Sequence, residues 1–207
     1  MKICGVTRPV DAVRAADLGA RWIGINFWPG SPRCVRVDRA REIADTVRDR
    51  VEVVGVFVNQ RPDVVNSIRS EVGLDRIQLH GEESPEEVRE YGDFAIKVFG
   101  VGPGFDPEIL GSYSEVWGYL FDVEDPVRRG GTGRRWPYEK VRDLPIDKPV
   151  LVAGGVGPDN ASRVLVRCRP QGIDVCSRIE TAPGVKDWKA MKRLFEEVDG
   201  GEAKDGT

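Results

Sequence analysis

Val53-Val54-Gly55-Val56-Phe57-Val58 is apolar at every position, with no alternation of wet and dry side chains. A strand with one solvated face alternates, so this run reads as a strand covered on both faces, the usual state of a parallel strand beneath helices. Outward from it, short runs rich in β-branched residues recur at near-regular intervals, at 2–4, 22–27, 51–58, 76–79, 94–99, 117–121, 149–152 and 172–175. The segments between them carry helix signals. Residues 9–19 have a proline near the start, apolar side chains at Val10, Val13 and Leu18, and a glycine stop at Gly19. Residues 38–48 place Ala40, Ile43, Ala44 and Val47 on one stripe, and 61–72 do the same with Val64, Val65, Ile68 and Val72. Ser84-Pro85-Glu86-Glu87 combines a serine cap, a proline at the first helical position and the glutamate of a capping box. Weaker helix signals mark 106–111, 137–142, 158–167 and 186–198. Eight strands alternating with eight helices, at roughly 25 residues per unit, predict an α/β fold, a single (β/α)8 TIM barrel over residues 1–198. A doubly wound open sheet alternates in the same way, but eight units favour closure and no G-x-G-x-x-G follows the first strand. Residues 199–207, polar and glycine-rich, are expected to form a flexible C-terminal tail.

Composition narrows the function classes. The 207 residues are 40% apolar and 31% charged, which excludes disordered and collagen-like chains. With 31 basic residues against 34 acidic ones and a net charge of -3, there is no broad basic field to attract nucleic acid or anionic lipid. A small anionic ligand held by local groups is compatible with that balance. The longest uncharged stretch, 22–32, has 11 residues and contains two prolines and two glycines, so no membrane span or signal peptide is expected. Cys4, Cys34, Cys168 and Cys176 form no C-x-x-C pair, which argues against a zinc site or a disulfide framework and for reduced, cytoplasmic thiols.

In a barrel of this type the working groups sit at the C-terminal strand ends and in the loops that follow. Those positions here are Cys4-Gly5, Asn26 with the 28–33 loop, Asn59, Gln78 to Glu82, Asp122, Ala153-Gly154-Gly155 and Asp174 to Arg178. Polar and glycine residues therefore crowd one end of the barrel. An aspartate closing an apolar strand, as Asp122 does, is costly unless hydrogen-bonded or functional.

Taken in order, Lys2-Ile3-Cys4-Gly5-Val6-Thr7, Pro29-Gly30-Ser31-Pro32-Arg33, Gly55-Val56-Phe57-Val58-Asn59 and Gln78-Leu79-His80-Gly81-Glu82 are followed by four further motifs. These are Leu120-Phe121-Asp122, Gly130-Gly131-Thr132-Gly133, Ala153-Gly154-Gly155 and Gly172-Ile173-Asp174-Val175. This series resembles the phosphoribosylanthranilate isomerase family of tryptophan biosynthesis over nearly the whole chain. The resemblance implies an Amadori rearrangement of a furanosyl amine that carries a 5-phosphate and an anthranilate carboxylate, the third step of the anthranilate-to-tryptophan branch. It implies no cofactor and no metal, and a small phosphoribosyl substrate as the partner, with monomer and homodimer both open.

By the same resemblance Asp122 is the general acid and Cys4 the general base. The acid needs a proton available near neutrality, and the thiol needs cationic or amide neighbours to become thiolate. A cysteine on an apolar strand is ordinarily a buried filler, the reading kept for Cys34, Cys168 and Cys176. The resemblance makes Arg33 the partner of the anthranilate carboxylate. Gln78 and His80, the one histidine, line the site, with a purely structural role open for His80. Gly154, Gly155 and the loop after strand eight, with Ser177, cradle the phosphate, while Gly131 belongs to a mobile flap or an added phosphate contact. The family shows Ser-Ser-Gly after strand eight where this chain reads Cys176-Ser177-Arg178. Arg178 then either points outward or joins the phosphate itself, or the phosphate is held less tightly. A histidine-pathway type of aldose–ketose isomerase and a barrel that binds without catalysing are the alternatives.

Overall fold

The computed structural model describes residues 1–102, 104–123 and 139–202. Its barrel strands are β1 (Lys2–Ile3), β2 (Trp22–Asn26), β3 (Glu52–Phe57), β4 (Arg76–Leu79), β5 (Ala95–Val101), β6 (Gly118–Val123), β7 (Val150–Ala153) and β8 (Gly172–Val175). They pair in parallel in chain order, and β8 closes on β1 with Lys2 opposite Asp174 and Ile3 opposite Val175. The sheet is thus a closed barrel and not an open one.

Successive side chains of a strand point alternately into the barrel and out toward the helices. Val53 and Phe57 pack outward with Ala12, Ile43 and Val65 of the surrounding helices, while Val54 faces the interior with Trp22, Ile96 and Leu120. Both faces of the 53–58 run are dry, which is why its sequence does not alternate.

The helices are α1 (Pro9–Asp17), α2 (Val37–Val47), α3 (Pro62–Val72), α4 (Pro85–Arg89), α5 (Glu139–Arg142), α6 (Ala161–Cys168) and α7 (Trp188–Glu202). The capping box before α4 forms as expected, with Ser84 Oγ accepting from Glu87 N–H and the Glu87 carboxylate accepting from Ser84 N–H. Three expectations change. The helix expected at 106–111 is a 3-10 helix, Pro107–Tyr113, because seven residues containing Gly111 are too few to nucleate a stable α-helix. α6 starts three residues later than 158, since Asn160 Oδ1 accepts from Gly157 N–H at 2.8 Å and holds the preceding residues in a turn. α7 begins beyond Asp187, whose carboxylate caps Lys189 and Ala190, and it continues through Glu202 into the segment expected to be tail. No helix among the described residues is long and apolar enough to cross a membrane.

Two features position the site. A hairpin that the sequence did not announce, β9 (Glu180–Ala182) and β10 (Val185–Lys186), follows β8 and is tied to the loop after β1 by Thr7 Oγ1 donating to Gly184 O at 2.7 Å. Beneath the loops after β3 and β4, the buried Lys97 ammonium donates to Glu83 Oε2 and Gly81 O, both at 2.7 Å. Glu83 in turn accepts from the N–H groups of Asn59 and Gly81. A buried pair of this kind is tolerable because its remaining lone pairs are satisfied, and it fixes the loop that carries His80.

Candidate active site

Cys4 follows β1 at the C-terminal mouth, and its N–H bonds to Val175 O at 2.9 Å. Lys2, two residues earlier, shares its inward face and donates from Nζ to Asp174 Oδ1 at 3.0 Å, with both side chains almost sealed from solvent. On the neighbouring strand Gly24 leaves room for them. A Cβ there would lie 2.8 Å from Cys4 Sγ, 3.0 Å from Lys2 Nζ and 3.1 Å from Cys4 Cα, and the last of these is backbone that cannot swing away. Gly24→Ala is therefore expected to destabilise the fold by about 1–3 kcal/mol in urea unfolding, the usual cost of overpacking.

The group around Cys4 is charged and buried. Lys186 of β10, whose side chain is sealed from solvent, donates to Cys4 O at 2.5 Å and to Glu180 Oε1 at 2.9 Å. Glu180 also takes Arg33 Nε at 3.0 Å and Nη2 at 2.6 Å. Three cations, Lys2, Lys186 and Arg33, thus meet two carboxylates, Asp174 and Glu180, around Cys4. The Cys176 S–H donated to the Cys4 sulfur, with help from Lys2 and Lys186, brings the Cys4 thiol well below its ordinary range against the opposing effect of burial. Burial, then the charge on Cys4, pushes Asp174 up to about 7 despite Lys2. Burial works against the Lys2 ammonium, yet Asp174 and Cys4 outweigh it and hold its pKa above the usual lysine value. Burial likewise raises the Glu180 carboxyl, and Arg33 and Lys186 more than offset it.

Asp122 stands on β6, three strands from β1 by way of β7 and β8. It pairs in register with Ala153 of β7. The Asp122 charge is close enough to contribute to the rise at Asp174. His80 Nε2 lies 3.6 Å from Asp122 Oδ2, an ion-pair distance beyond hydrogen bonding, and His80 Nδ1 is 3.3 Å from Gln78 Nε2. His80 thus stands beside the Asp122 carboxylate. Gln78 Oε1 is buried without a hydrogen-bond partner.

The loops after β7 and β8 meet. Gly154 and Gly155 have φ of 92° and 66°, left-handed conformations that favour glycine. A Cβ at Gly157 would lie 2.7 Å from Arg178 Cβ, so the two loops are in contact. Arg178 points outward over Gly157 and its guanidinium pairs with Asp159 at 2.5 Å, both side chains being about half exposed. Ser177, also exposed, opens a 3-10 turn, Ser177–Ile179. With Arg178 turned outward, Arg178→Gly is expected to leave kcat/KM within about tenfold of the wild-type value, since a surface pair contributes little; a larger loss in steady-state kinetics would make the arginine a direct ligand.

Some expected placements change. Cys34, expected to be buried, is exposed on the loop after β2, where the short parallel bridge to Asn26 leaves its side chain outside the core. Cys176, read as a buried filler, is only partly covered and stands beside Cys4. Gly131 and its 130–133 loop lie outside the described residues. The sequence reading placed Asp174 at a strand end without giving it a role, and passed over Lys2, Glu180 and Lys186 as site residues. Lys2 and Asp174 did carry a signal, since charge inside short apolar strands is expensive unless paired. Glu180 and Lys186 carried none, because only the hairpin brings them under the site. Among the described residues no three His, Cys, Asp or Glu side chains are grouped to hold a metal ion.

Comparison with known proteins points to one family. The family profile described as N-(5'phosphoribosyl)anthranilate (PRA) isomerase matches residues 1–197. The N-(5'-phosphoribosyl)anthranilate isomerase of Halorhodospira halophila is 38% identical over 203 residues, covering 98% of this chain and 97% of that protein. That of Rubrobacter xylanophilus is 39% identical over 197 residues, 94% of this chain and 96% of its own. Among solved structures, the phosphoribosyl anthranilate isomerase of Thermotoga maritima superposes with a TM-score of 0.85 at 32% identity, covering 96% of this chain and 98% of that one. A phosphoribosyl anthranilate isomerase complexed with reduced 1-(o-carboxyphenylamino)-1-deoxyribulose 5-phosphate gives 0.83 at 32%, covering 96% of this chain and 97% of that one. With a closed barrel, polar strand ends at one mouth and similarity along its whole length, this chain belongs to the N-(5'-phosphoribosyl)anthranilate isomerase family, enzymes of tryptophan biosynthesis.

Proposed function

We propose that this isomerase converts N-(5'-phosphoribosyl)anthranilate into 1-(2-carboxyphenylamino)-1-deoxyribulose 5-phosphate with Asp122 as general acid and Cys4 as general base. Asp122 gives a proton to the furanose oxygen, the C1–O bond breaks, and the nitrogen lone pair forms the imine. The Cys4 thiolate then removes the C2 proton, and the electron pair moves through C1 to nitrogen, leaving an enolic amine that tautomerises to the ketone. Atoms and electrons are conserved within one molecule, so the step requires no redox partner. The observation that carries the reading is the cationic bed beneath Cys4, where Lys2 and Lys186 favour thiolate at the mouth that also holds Asp122.

The remaining groups bind and orient. Arg33 has five N–H donors, and its fork is only partly used by Glu180, which leaves donors for the anthranilate carboxylate. The backbone at Gly154, Gly155 and Ser177 offers amides to the phosphate, a task for N–H dipoles more than for net charge. His80 and Gln78 line the wall beside Asp122. The test is direct: the adduct formed from ribose 5-phosphate and anthranilate is fluorescent through its anthranilate group, and the enzyme is expected to consume it. Unchanged fluorescence in the presence of folded protein would overturn the proposal.

A further inference from the structure

We infer that Cys4 and Cys176 form a dithiol that a hydroperoxide converts into an intramolecular disulfide, a modification site at the mouth of the barrel. β1 and β8 pair with Ile3 opposite Val175, and the 2.9 Å bond from Cys4 N–H to Val175 O carries the pairing one residue further, so the two cysteines stand abreast. Paired strands lie about 4.8 Å apart, inside the roughly 4.4–6.8 Å of Cα separation that a disulfide spans. The two thiols lie within hydrogen-bonding reach of each other, and their surroundings are close on every side. A Cβ at Gly5 would lie 2.9 Å from Cys176 Sγ, one at Gly24 would lie 2.8 Å from Cys4 Sγ, and Cys176 Sγ is 3.9 Å from Glu180 Oε1. Neither cysteine is bridged in the structure, and Cys176 is only partly covered.

The chemistry balances. The Cys4 thiolate attacks one oxygen of the hydroperoxide, an S–O bond forms, the O–O bond breaks and an alcohol or water leaves after protonation, so that Cys4 becomes sulfenic acid. Cys176 sulfur then attacks Cys4 sulfur, the S–O bond breaks, and the departing hydroxide takes the Cys176 proton as water. The two sulfurs lose two electrons and the peroxide gains two. The pair is poised for this order. Cys176 holds its proton while Cys4 is charged beside it, and sulfenic acid formation removes that charge while Lys186 still favours the second thiolate. A dithiol reductant reverses the bridge. Loss of activity on oxidation rests on the reading of Cys4 as the base, whereas the bridge itself does not.

The experiment treats the intact protein with hydrogen peroxide, cleaves it before aspartates, and measures mass without reductant. Such cleavage releases 1–10, carrying Cys4 alone, and 174–186, carrying Cys176 alone. A cross-linked pair of these peptides, lighter by two hydrogens than their sum, is expected, together with activity that dithiothreitol restores. In Cys176→Ser the cross-link is absent, Cys4 proceeds to sulfinic acid, and the share of its own starting activity regained with dithiothreitol falls at least about tenfold below that of the wild type. Cys4 oxidised past sulfenic acid without any cross-link in the wild type would overturn the inference, as would equal recovery in Cys176→Ser. A cross-link that leaves activity untouched upholds the bridge and instead overturns Cys4 as the base.

Discussion

Cys4→Ser is expected to lower kcat by at least about a hundredfold, the scale of a general base, with little change in the unfolding midpoint. The hydroxyl fills nearly the same space under Gly24, but it is too weak an acid for Lys2 and Lys186 to hold ionised near neutrality. The thiol differs from it because its ordinary range is already close, and the Cys176 donor and two ammoniums bring it lower still. The sign follows for pH. A base whose pKa is lowered is deprotonated further into the acid range, so kcat/KM of the wild type holds its plateau below the ordinary thiol range. Lys2→Met removes one of the groups that lower it, and the acid limb of the profile is expected to move to higher pH. Lys2→Met also strips Asp174 of its partner, and that carboxyl, already at about 7, rises further and takes up a proton without leaving a buried charge behind. A Cys4→Ser enzyme with near-normal turnover, or a Lys2→Met enzyme whose acid limb stays in place, would remove the thiolate from the mechanism.

The barrel was legible because its period is carried by covalent regularities. Doubly buried strands such as 53–58 cannot alternate, and a proline or serine start with a glycine stop frames several of the helices between them. The strand ends follow from that count, which is how Cys4, Asp122, Gln78, His80, Gly154 and Gly155 could be named as one site. What stayed hidden depends on contacts between residues far apart in the chain. Lys186 lies 182 residues from the carbonyl of Cys4 to which it donates, and only the β9–β10 hairpin brings it there. Arg33 was read as a partner for a substrate carboxylate, and its pairing with Glu180 went unforeseen, since no local pattern at either residue announces it. The direction of Arg178 was open for the same reason, since Asp159, its partner, lies on the loop after the preceding strand.

Asp122→Asn is expected to cost at least about a hundredfold in kcat, and for a different step. Asp122 is 40% exposed on its side chain, so an amide there leaves no buried group unsatisfied and the fold should persist. The variant keeps the shape and loses the proton that opens the furanose ring. Substrate deuterated at C2 separates the two roles. In Cys4→Ser the abstraction of that hydrogen limits the rate and the isotope effect is expressed in full. In Asp122→Asn ring opening becomes limiting, and the effect is expected to shrink toward unity. His80, 3.6 Å from the carboxylate, is the rival donor. If the imidazole supplied the proton, His80→Asn would suppress both kcat and the isotope effect while Asp122→Asn would be mild, the reverse of the pattern expected here. Removing the Asp122 charge also relieves one of the influences that raise Asp174, so the Asp174 carboxyl is expected to titrate lower in Asp122→Asn, a shift visible by NMR of the side-chain carbon. An unchanged Asp174 titration would mean that the two carboxylates do not share one electrostatic field, and the mouth would then be two separate sites instead of one.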